Sequence, residues 1–573
     1  ANSAVEKSYF PYFARQNHFT MIFSTLRKRV ELPEGSRWWN EDVRPVTLER
    51  RTWTFFTYNN FWLLINCNIA TYLTGSALIP LGLTWWQAII AIVVGNTLAT
   101  AALLLSSLAG AYYHIGFPVF SRAVWGIWGS QFVVWNRIFL AFGKYGFQSW
   151  VGGECIYLML LSWDPNLEQN IPNKIPTETG MTTAQFMSYF IFCLISLPAL
   201  LIRVHRIQKF FYVTSTITLT FFMVLLIWAL ATMGPEGFGN TLNSDTSIPV
   251  SGSPYSTTWL MIYGIMSTIG SIAAGILNQN DYARFAARSS HAIWGQALAF
   301  PMYSIFASVI GILVTAATQN RLGEPIWNPP TLFIRLLVTN NSAGTRAAVF
   351  FAGLALAISQ LGSNLPGNAL SGGLDLASVF PKYINLRRCA YIIAILSPVV
   401  NPWRLVNTAT TFLTVLSGYS VFLAPMTGIM ASHYVFVGRS KVNVDDLYIG
   451  DSSSVYWYTK GINWRAPLAW VVGALPCLPG FIAALNLSII VSDGAVELYY
   501  MNYLYGFLSS ALVYFLLHWA VPDKKLDNFV KSSLSAHELQ RLYDGRWQVT
   551  MGQMPENCDE GVSEQHDSAK AAF

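Results

Sequence analysis

Residues 138–148 read IFLAFGKYGFQ, an apolar stretch that is interrupted by a single lysine. In a helix, Lys144 and Gln148 lie four residues apart and therefore on one face. A charge at membrane depth costs about 2.5–3.5 kcal/mol on insertion scales, so such a lysine usually faces a cavity or pathway rather than lipid. The stretch therefore predicts a membrane transporter whose binding site includes this helix. The alternative is a lysine that extends to the membrane interface or pairs with a structural partner.

Composition indicates that most of the chain faces lipid. Of its 573 residues, 53% are hydrophobic and 11% are charged, whereas soluble domains carry roughly 25% charged residues. The net charge of +6 comes without a basic, aromatic-interleaved patch that would favour a nucleic-acid partner. The six cysteines lack CxxC spacing, so we expect no metal site and no disulfide framework. No hydrolase or Walker A motif is present in the sequence, and we expect no enzyme activity, no cofactor and no coupling to ATP.

Runs of about 20 apolar residues predict an all-α integral membrane protein with twelve transmembrane helices. The ninth run is shorter than the others. The predicted spans are residues 56–79, 84–110, 132–161, 183–202, 209–232, 257–279, 292–317, 346–373, 387–402, 408–434, 465–488 and 498–521.

Lysine and arginine predict the orientation, because they are enriched in cytoplasmic loops. Most of them lie before the first span or in the loops after even-numbered spans. The loop after span seven is the exception, with Arg321, Arg335 and Arg346. We therefore expect a multi-pass protein of the plasma membrane with both termini in the cytoplasm. The predicted domains are a cytoplasmic segment at 1–52, a twelve-helix transporter domain at 53–521 and a cytoplasmic tail at 522–573.

Polar or glycine-rich interruptions occur at corresponding places in the first and sixth predicted spans. Asn66, Asn68 and Thr71 form a polar knot in span one, and span six contains three glycines and ends at residues 278–281, NQND. Transporters with inverted repeats bind substrate at helices that are broken near the membrane midplane. We therefore expect a break in each span, with the asparagines at the substrate site. The alternative is that the asparagines form hydrogen bonds between helices.

Span eight carries a stripe of amides. Gln360, Asn364 and Asn368 recur every four residues, so they share one helix face. Pro366 lies among them and removes one backbone donor. Amides at membrane depth can read the donor and acceptor edges of a small planar heterocycle. The alternative is a helix-packing seam, although such a seam needs fewer amides than are present.

Several ordered motifs between about Arg37 and Pro522 resemble nucleobase–cation symporter family 1, in particular its fungal Fur-like branch. The motifs are residues 39–45 (WNEDVRP), 51–53 (RTW), 113–119 (YHIGFPV), 146–154 (GFQSWVGGE), 280–285 (NDYARF), 362–364 (GSN) with Asn368, 375–376 (DL), 380–385 (FPKYIN) and 463–465 (NWR).

The resemblance implies a LeuT-like five-plus-five inverted repeat, followed by two further C-terminal helices. Fungal members are proton symporters of the plasma membrane for uracil, allantoin, uric acid, uridine or related compounds, and a sister branch carries thiamine and nicotinamide riboside. By motif, Gln148 and Asn368 match the amides that hold the heterocycle, and Asn364 matches a neighbouring polar position. Asn68 falls where the broken first helix lines the site. Ser363 lies where a bacterial relative binds sodium, but Gly362 replaces one hydroxyl ligand there, which favours protons.

Two departures from the family pattern concern the substrate ring. Lys144 stands where relatives usually place a tryptophan that stacks on the ring, and Ile272 stands where the bacterial hydantoin carrier has a second one. Losing an aromatic face forfeits roughly 1–3 kcal/mol per ring contact, by analogy with base stacking. Three interpretations are open: Tyr145, Phe147 or a tryptophan elsewhere replaces the lost aromatic face, Lys144 favours an anionic or more polar substrate such as orotate or urate, or Lys144 takes part in proton coupling.

Intramembrane acids are few. Glu154 lies six residues after Gln148. It is either a group that handles protons or takes part in gating, or a hydrogen-bonded residue near a helix end.

The partners that we expect are a small heterocycle, protons and the lipid bilayer, with a homodimer left open. Two other classes of protein remain, a sensor that binds the same ligands without transport and a channel. Accumulation against a gradient separates a carrier from both.

Overall fold

The computed structural model describes residues 31–32, 36–201, 207–239, 256–486, 488–532 and 534–543. In these ranges the backbone is predominantly helical, with two isolated β-bridges, Trp53 with Ala286 and Thr459 with Ile462. Helices satisfy every backbone N–H and C=O within one segment, as a lipid environment without water requires. The helical architecture therefore follows from the apolar composition of the spans.

In the described residues up to Leu322 there are nine principal helices, which are numbered here in chain order. They are α1 (Phe55–Asn66), α2 (Ile69–Ser76), α3 (Trp85–Tyr113), α4 (Phe117–Trp125), α5 (Ser130–Trp163), α6 (Thr183–Ala199), α7 (Ile207–Ala231), α8 (Thr257–Leu277) and α9 (Ser289–Leu322).

The described residues after Leu322 contribute eight more. They are α10 (Ala343–Asn364), α11 (Ser371–Val379), α12 (Leu386–Leu396), α13 (Ala409–Ser432), α14 (Arg465–Ala474), α15 (Leu478–Leu485), α16 (Asn502–Ala520) and α17 (Lys524–Lys531). Shorter helices in the connections are Leu167–Asn170, Asn280–Ala283, Pro329–Thr339 and Asp493–Tyr500. Two π-helical segments follow α10 and α13, at Leu365–Leu370 and His433–Val437.

Each of the twelve predicted spans falls on one of these helices or on a consecutive pair. In the described part of the chain, eight segments are long and apolar enough to cross a membrane by length and composition. The other four predicted spans are the broken pair α1–α2, the more polar α5, α6 with 17 residues and α12 with 11 residues. The all-α membrane fold is therefore confirmed, and the count of twelve agrees with the positions of the helices.

Small residues let the second half of the broken first span lie directly against α9. A Cβ added at Gly75 would lie 2.2 Å from the carbonyl oxygen of Ser308, and one added at Gly311 would lie 2.4 Å from that of Tyr72. The Ser308 hydroxyl also donates to the carbonyl oxygen of Thr71 at 3.0 Å. Membrane helices associate through such close approaches and hydrogen bonds. These contacts hold the break between α1 and α2 in place.

The prediction of a break within the glycine-containing part of span six is wrong, because the helix is interrupted only at its end. Helix α8 continues through all three of its glycines and ends at Leu277, where Asn278 and Gln279 turn the chain into a short helix, Asn280–Ala283. Gly270 serves packing instead, because a Cβ there would lie 2.5 Å from the carbonyl oxygen of Leu416 in α13. A glycine-rich run in an apolar helix thus reflects close contact with a neighbouring helix.

Apart from residues 202–206, which lie outside the described residues, the loops that were predicted to be cytoplasmic gather on one face of the molecule. The Tyr113 hydroxyl donates to the Ser440 carbonyl oxygen at 2.8 Å, across the ends of α3 and α13. Asn40 Nδ2 donates to the Pro381 carbonyl oxygen at 3.2 Å, joining the N-terminal segment to the loop after α11. Lys441 Nζ donates to the carbonyl oxygen of Val530 in α17 at 2.9 Å. The described parts of both terminal segments therefore pack on this face.

The opposite face carries the exception to the charge pattern. Arg346 Nε donates to the carbonyl oxygen of Ser162 at the end of α5, at 2.7 Å. Arg321 lies in the last turn of α9, and Arg335 lies within the short helix Pro329–Thr339 that follows it. The charged loops thus divide between two faces as the sequence predicts, with this one connection on the other side.

Candidate functional site

A cavity of about 160 Å³ lies where the α1–α2 break meets α5, α8, α10–α11 and α13. One buried water needs roughly 10–15 Å³ by the same measure, so the space suits a small organic molecule. Eight residues predicted from the sequence line the cavity: Asn66, Asn68, Thr71, Lys144, Gln148, Ile272, Ser363 and Asn368. Asn364 and Glu154 are not among its lining residues.

The two asparagines of the break stabilise the fold with their amides. Asn68 is the N-cap of α2, because its Oδ1 accepts from the Thr71 backbone N–H at 2.9 Å, and its Nδ2 donates to the Ile65 carbonyl oxygen. Asn66 Nδ2 donates to the Phe300 carbonyl oxygen in α9 at 3.0 Å. Both side chains line the cavity, yet the Asn68 amide already satisfies backbone groups that the break exposes, and the Asn66 amide already bonds to α9.

Replacing Asn68 with alanine will lower the free energy of unfolding by about 1 kcal/mol, the usual cost of losing an N-cap. The reason is that α2 loses the acceptor for the Thr71 N–H and Ile65 loses the donor to its carbonyl oxygen. The measurement is unfolding of the purified protein in mixed micelles titrated with a denaturing detergent. Asn68→Ser, which keeps an acceptor at the cap, serves as the control. An alanine variant as stable as the parent would contradict the capping role.

A wide helical turn positions the amides of span eight. After α10 ends at Asn364, residues Leu365–Leu370 form a π-helix that contains Pro366, and α11 follows. Proline removes a donor and clashes with the preceding turn, which disfavours regular α-helix here. Such π-helical turns often occur at functional sites. Here the turn brings Asn368 to the cavity wall.

A chain of three amides connects this turn to α5. Asn368 Nδ2 donates to Gln148 Oε1 and to Asn364 Oδ1, each at 2.9 Å. Asn364 Nδ2 in turn donates to the Ser149 hydroxyl at 3.0 Å and to the Tyr145 carbonyl oxygen at 3.2 Å. Asn364 therefore orients the Asn368 amide, and through it the Gln148 amide, from a position outside the cavity wall.

The chain of amides leaves one donor and one acceptor for a ligand. Within the described residues, neither Gln148 Nε2 nor Asn368 Oδ1 has a hydrogen-bond partner, and both residues line the cavity. Gln148 and Asn368 are each 8% exposed, so bulk water has little access to them. An adjacent N–H donor and C=O acceptor complement the C=O and N–H of a cyclic imide or amide.

Lys144 extends from α5 across the cavity to α8. Its Nζ donates to the carbonyl oxygen of Ser271 at 3.0 Å. Among the residues that the structure describes, no carboxylate forms an ion pair with it. The lysine therefore points into the site and not toward a membrane interface, so the interpretation as an interfacial lysine is wrong.

A second cation, which was not predicted from the sequence, lies on the same wall of the cavity. Arg137 lies seven residues before Lys144 on α5 and also lines the cavity. Its Nε forms an ion pair with Asp375 Oδ2 in α11 at 2.9 Å, with the side chains 4% and 0% exposed. Nη2 donates to the Ser371 hydroxyl at 2.9 Å, and Nη1 donates to the Ala274 carbonyl oxygen. This network lies on the side of the cavity toward the face where the termini pack.

Aromatic side chains lie toward the opposite face. Phe412 in α13 and Phe147 in α5 both line the cavity, with stacked rings whose centroids are 5.8 Å apart. Trp327, in the connection before α10, packs on Phe412 at 5.6 Å. The cavity thus lies between an aromatic cluster on one side and the Arg137 network on the other, as alternating access requires of a central site.

Besides Lys144, two residues were predicted to take part in ion coupling, Ser363 and Glu154, and they have different hydrogen-bond partners. The Ser363 hydroxyl donates to the carbonyl oxygen of Ser359 in its own helix at 3.0 Å. Glu154 Oε2 accepts from Asn328 Nδ2 at 3.4 Å, near the opposite end of α5 from Arg137. In the described part of the chain Glu154 forms no ion pair.

Asn278 and Tyr282 line the cavity and belong to stretches noted in the sequence, the interruption at 278–281 and the motif at 280–285. Other residues of the cavity wall have no signal in the sequence. Tyr419, Ser271 and Ser304 line the cavity, but each lies in an ordinary helical context when the sequence is considered alone. Arg137 is different, because the rule that singled out Lys144 also applies to it.

The fold and a polar cavity at membrane depth define a multi-pass membrane transporter. Residues 45–506 match a family described as permeases for cytosine/purines, uracil, thiamine and allantoin. The chain belongs to this family, which confirms the resemblance to the nucleobase–cation symporters.

Individual relatives agree with this assignment. The allantoin permease of Saccharomyces cerevisiae is 35% identical over 498 residues, which cover 86% of this chain and 78% of that permease. The uracil permease of the same yeast is 36% identical over 503 residues, with the same two coverages. These relatives are transporters and not enzymes, which agrees with the expectation for this chain.

Among solved structures, the chain is similar to Mhp1, a nucleobase-cation-symport-1 family transporter in a closed conformation with bromovinylhydantoin bound. The TM-score is 0.66 at 20% identity, and the match covers 88% of this chain and 99% of Mhp1. The fold is therefore the LeuT-like fold that the resemblance implied.

Proposed function

We propose that the protein imports a nucleobase or related heterocycle, of the uracil, allantoin, uric acid or uridine class, together with a proton by alternating access. The observation that carries this proposal is the pair of unused groups in the cavity, Gln148 Nε2 and Asn368 Oδ1. They complement the amide or imide edge that uracil and allantoin present. The names of the allantoin and uracil permeases among its relatives point to the same class.

Alternating access is supported by where the cavity lies. Its wall includes the broken first span, α8 and the wide turn of span eight, while the Arg137 network and the aromatic cluster lie at its two ends. We propose that substrate enters past Phe412 and leaves after the contacts of Arg137 open. In this scheme Asn66, Asn68 and Thr71 shape the cavity wall, and Ile272 contributes apolar surface beside the ring.

Proton coupling is supported by two features. Gly362 offers no hydroxyl where the bacterial sodium site has one, and a Cβ there would lie 2.7 Å from the Thr214 hydroxyl oxygen. The space beside Gly362 is therefore filled by a side chain of α7. Glu154, an acid within a membrane-spanning helix with one long hydrogen bond to Asn328, is the group that we propose to handle the proton, because intramembrane acids often form proton relays.

The proposed location is the plasma membrane, with both termini in the cytoplasm. The grouping of lysine- and arginine-containing loops on one face, together with the terminal segments, supports this orientation.

Uptake of labelled uracil tests the proposal, in cells that lack their own permeases. Allantoin, uric acid, uridine and thiamine are added as competitors at external pH 5 and 8, with a protonophore control. We expect accumulation against a gradient that is greater at pH 5, because the inward proton gradient is larger there. The protonophore should abolish it.

The outcomes separate the alternatives. Competition by a pyrimidine or hydantoin supports the proposed class, whereas competition by thiamine alone would assign the chain to the vitamin branch and overturn it. Binding without accumulation would indicate a sensor, and equilibration without accumulation would indicate a channel. Accumulation that depends on sodium and not on pH would overturn the proposal of proton coupling.

A further inference from the structure

An ammonium group without a neutralising partner lies in the cavity. Lys144 Nζ has three N–H donors and uses one of them, on the carbonyl oxygen of Ser271. A backbone carbonyl is a dipole and does not cancel the charge. Because burying a charge is costly unless it is paired, a site of this kind is incomplete without an anion.

The surrounding side chains do not supply that anion. No aspartate or glutamate is found among the described residues that line the cavity. The other cation there, Arg137, is matched by Asp375 at 2.9 Å, so the two of them contribute little net charge. The remaining titratable side chains of the wall are the hydroxyls of Tyr282 and Tyr419. The cavity therefore carries a net positive charge at Lys144.

We propose that the site selects heterocycles that carry a negative charge, a ring carboxylate or an ionised imide, and that Lys144 is the residue that determines this selection. This inference rests on the proposed function and deepens it. The ammonium pairs with the anionic group, while Gln148 Nε2 and Asn368 Oδ1 bind the polar edge of the ring.

The geometry allows one small ring to reach both groups. Lys144 and Gln148 are one helical turn apart, which corresponds to about 6 Å along the axis of α5. A single six-membered ring with a substituent carboxylate spans a comparable distance. The apolar side chains of Ile272 and Leu140 line the same cavity and provide a surface for the faces of the ring.

The low exposure of this site to water strengthens its discrimination between anionic ligands and neutral or cationic ones. Water has little access, so the attraction between Lys144 and an anion is screened much less than at a surface. The same charge repels cations, so protonated or quaternary ligands such as thiamine should bind poorly. The family contains carriers of neutral heterocycles, and the lysine would set this chain apart from them.

Orotate and uracil make a matched pair of probes, because they share one ring and differ by a carboxylate. Binding is measured as ligand-induced thermal stabilisation of the purified full-length protein, and uptake is measured in parallel. The variants are Lys144→Met, which removes the charge at similar volume, and Lys144→Arg, which keeps it. Lys174→Met, which removes an exposed lysine outside the cavity, is the control.

We expect the parent protein to bind orotate at least about tenfold more tightly than uracil. Lys144→Met should lower the ratio of the two affinities by about tenfold or more, Lys144→Arg should largely restore it, and Lys174→Met should leave it as in the parent. Equal affinities in the parent protein overturn the inference without any variant. A ratio that Lys144→Met does not change overturns it as well.

The results that would overturn the proposed function differ from those that would overturn anion selection by Lys144. If neither uracil nor orotate binds or is taken up, both proposals fail. If uracil is accumulated but orotate is not preferred, the proposed function stands and anion selection by Lys144 fails. If orotate binds preferentially and neither ligand is accumulated, anion selection stands and import fails.

Discussion

Replacing Asn368 with alanine will lower kcat/KM for uptake by about 100-fold or more, which corresponds to roughly 2.7 kcal/mol of lost stabilisation. Three effects combine in this variant. The ligand loses the acceptor Oδ1, and Gln148 Oε1 and Asn364 Oδ1 both lose the donor that they share at 2.9 Å. Leaving buried polar groups unpaired costs about 1–3 kcal/mol each. Gln148 would then also be free to adopt other orientations.

The measurement is the concentration dependence of uptake, corrected for the amount of transporter at the cell surface. Asn136→Ala removes a partly exposed amide of α5 that bonds only to its own helix, through the Phe132 carbonyl oxygen, and provides the matched control. Because Asn364 acts through Asn368, Asn364→Ala should have a smaller effect. Uptake by Asn368→Ala within about threefold of the parent would rule out a direct role for this amide.

Removing one partner of the buried pair between Arg137 and Asp375 will destabilise the protein by about 3–5 kcal/mol, because the other charge remains buried without compensation. In Asp375→Asn the guanidinium keeps the Ser371 hydroxyl and the Ala274 carbonyl oxygen as acceptors but loses its counter-charge. In Arg137→Met the carboxylate of Asp375, which is 0% exposed, loses its cation. The free energy of unfolding in mixed micelles is the quantity to measure.

A double variant and a surface pair make this test specific. Arg137→Met combined with Asp375→Leu replaces both charges with apolar groups and should recover much of the lost stability. The exposed pair of Lys531 and Asp527 on α17, with side chains 69% and 40% exposed, should contribute less than about 1 kcal/mol. Single variants of the buried pair that are no less stable than Lys531→Met would show that Arg137 and Asp375 do not need each other.

The positions of the helices and several polar residues of the cavity could be predicted from the sequence. The twelve apolar runs coincide with helices because a chain in lipid must satisfy its backbone hydrogen bonds locally. Lys144, Gln148 and Asn368 were recognised because a polar side chain among apolar neighbours is costly and needs a reason. The same rule applied to Arg137 would have found it.

The predicted break in span six could not be decided from the sequence of that span. Three glycines in an apolar helix predict a weak point, and the structure shows instead that Gly270 lies against the backbone of α13. Whether a glycine permits a bend or a close contact depends on the neighbouring helix. That neighbour, Leu416, is almost 150 residues away in the sequence.

By itself, the sequence determined that this chain is a helical membrane protein and which of its positions carry polar groups at depth, because helix formation in lipid is decided within each segment. Only the tertiary structure decided what those groups do. Asn68 uses its amide to cap α2, whereas Gln148 and Asn368 keep one donor and one acceptor for the cavity. Likewise, Arg137 meets a carboxylate and Lys144 meets a carbonyl oxygen. Partners of this kind come from distant helices, so their charges and hydrogen bonds balance only after the helices have packed.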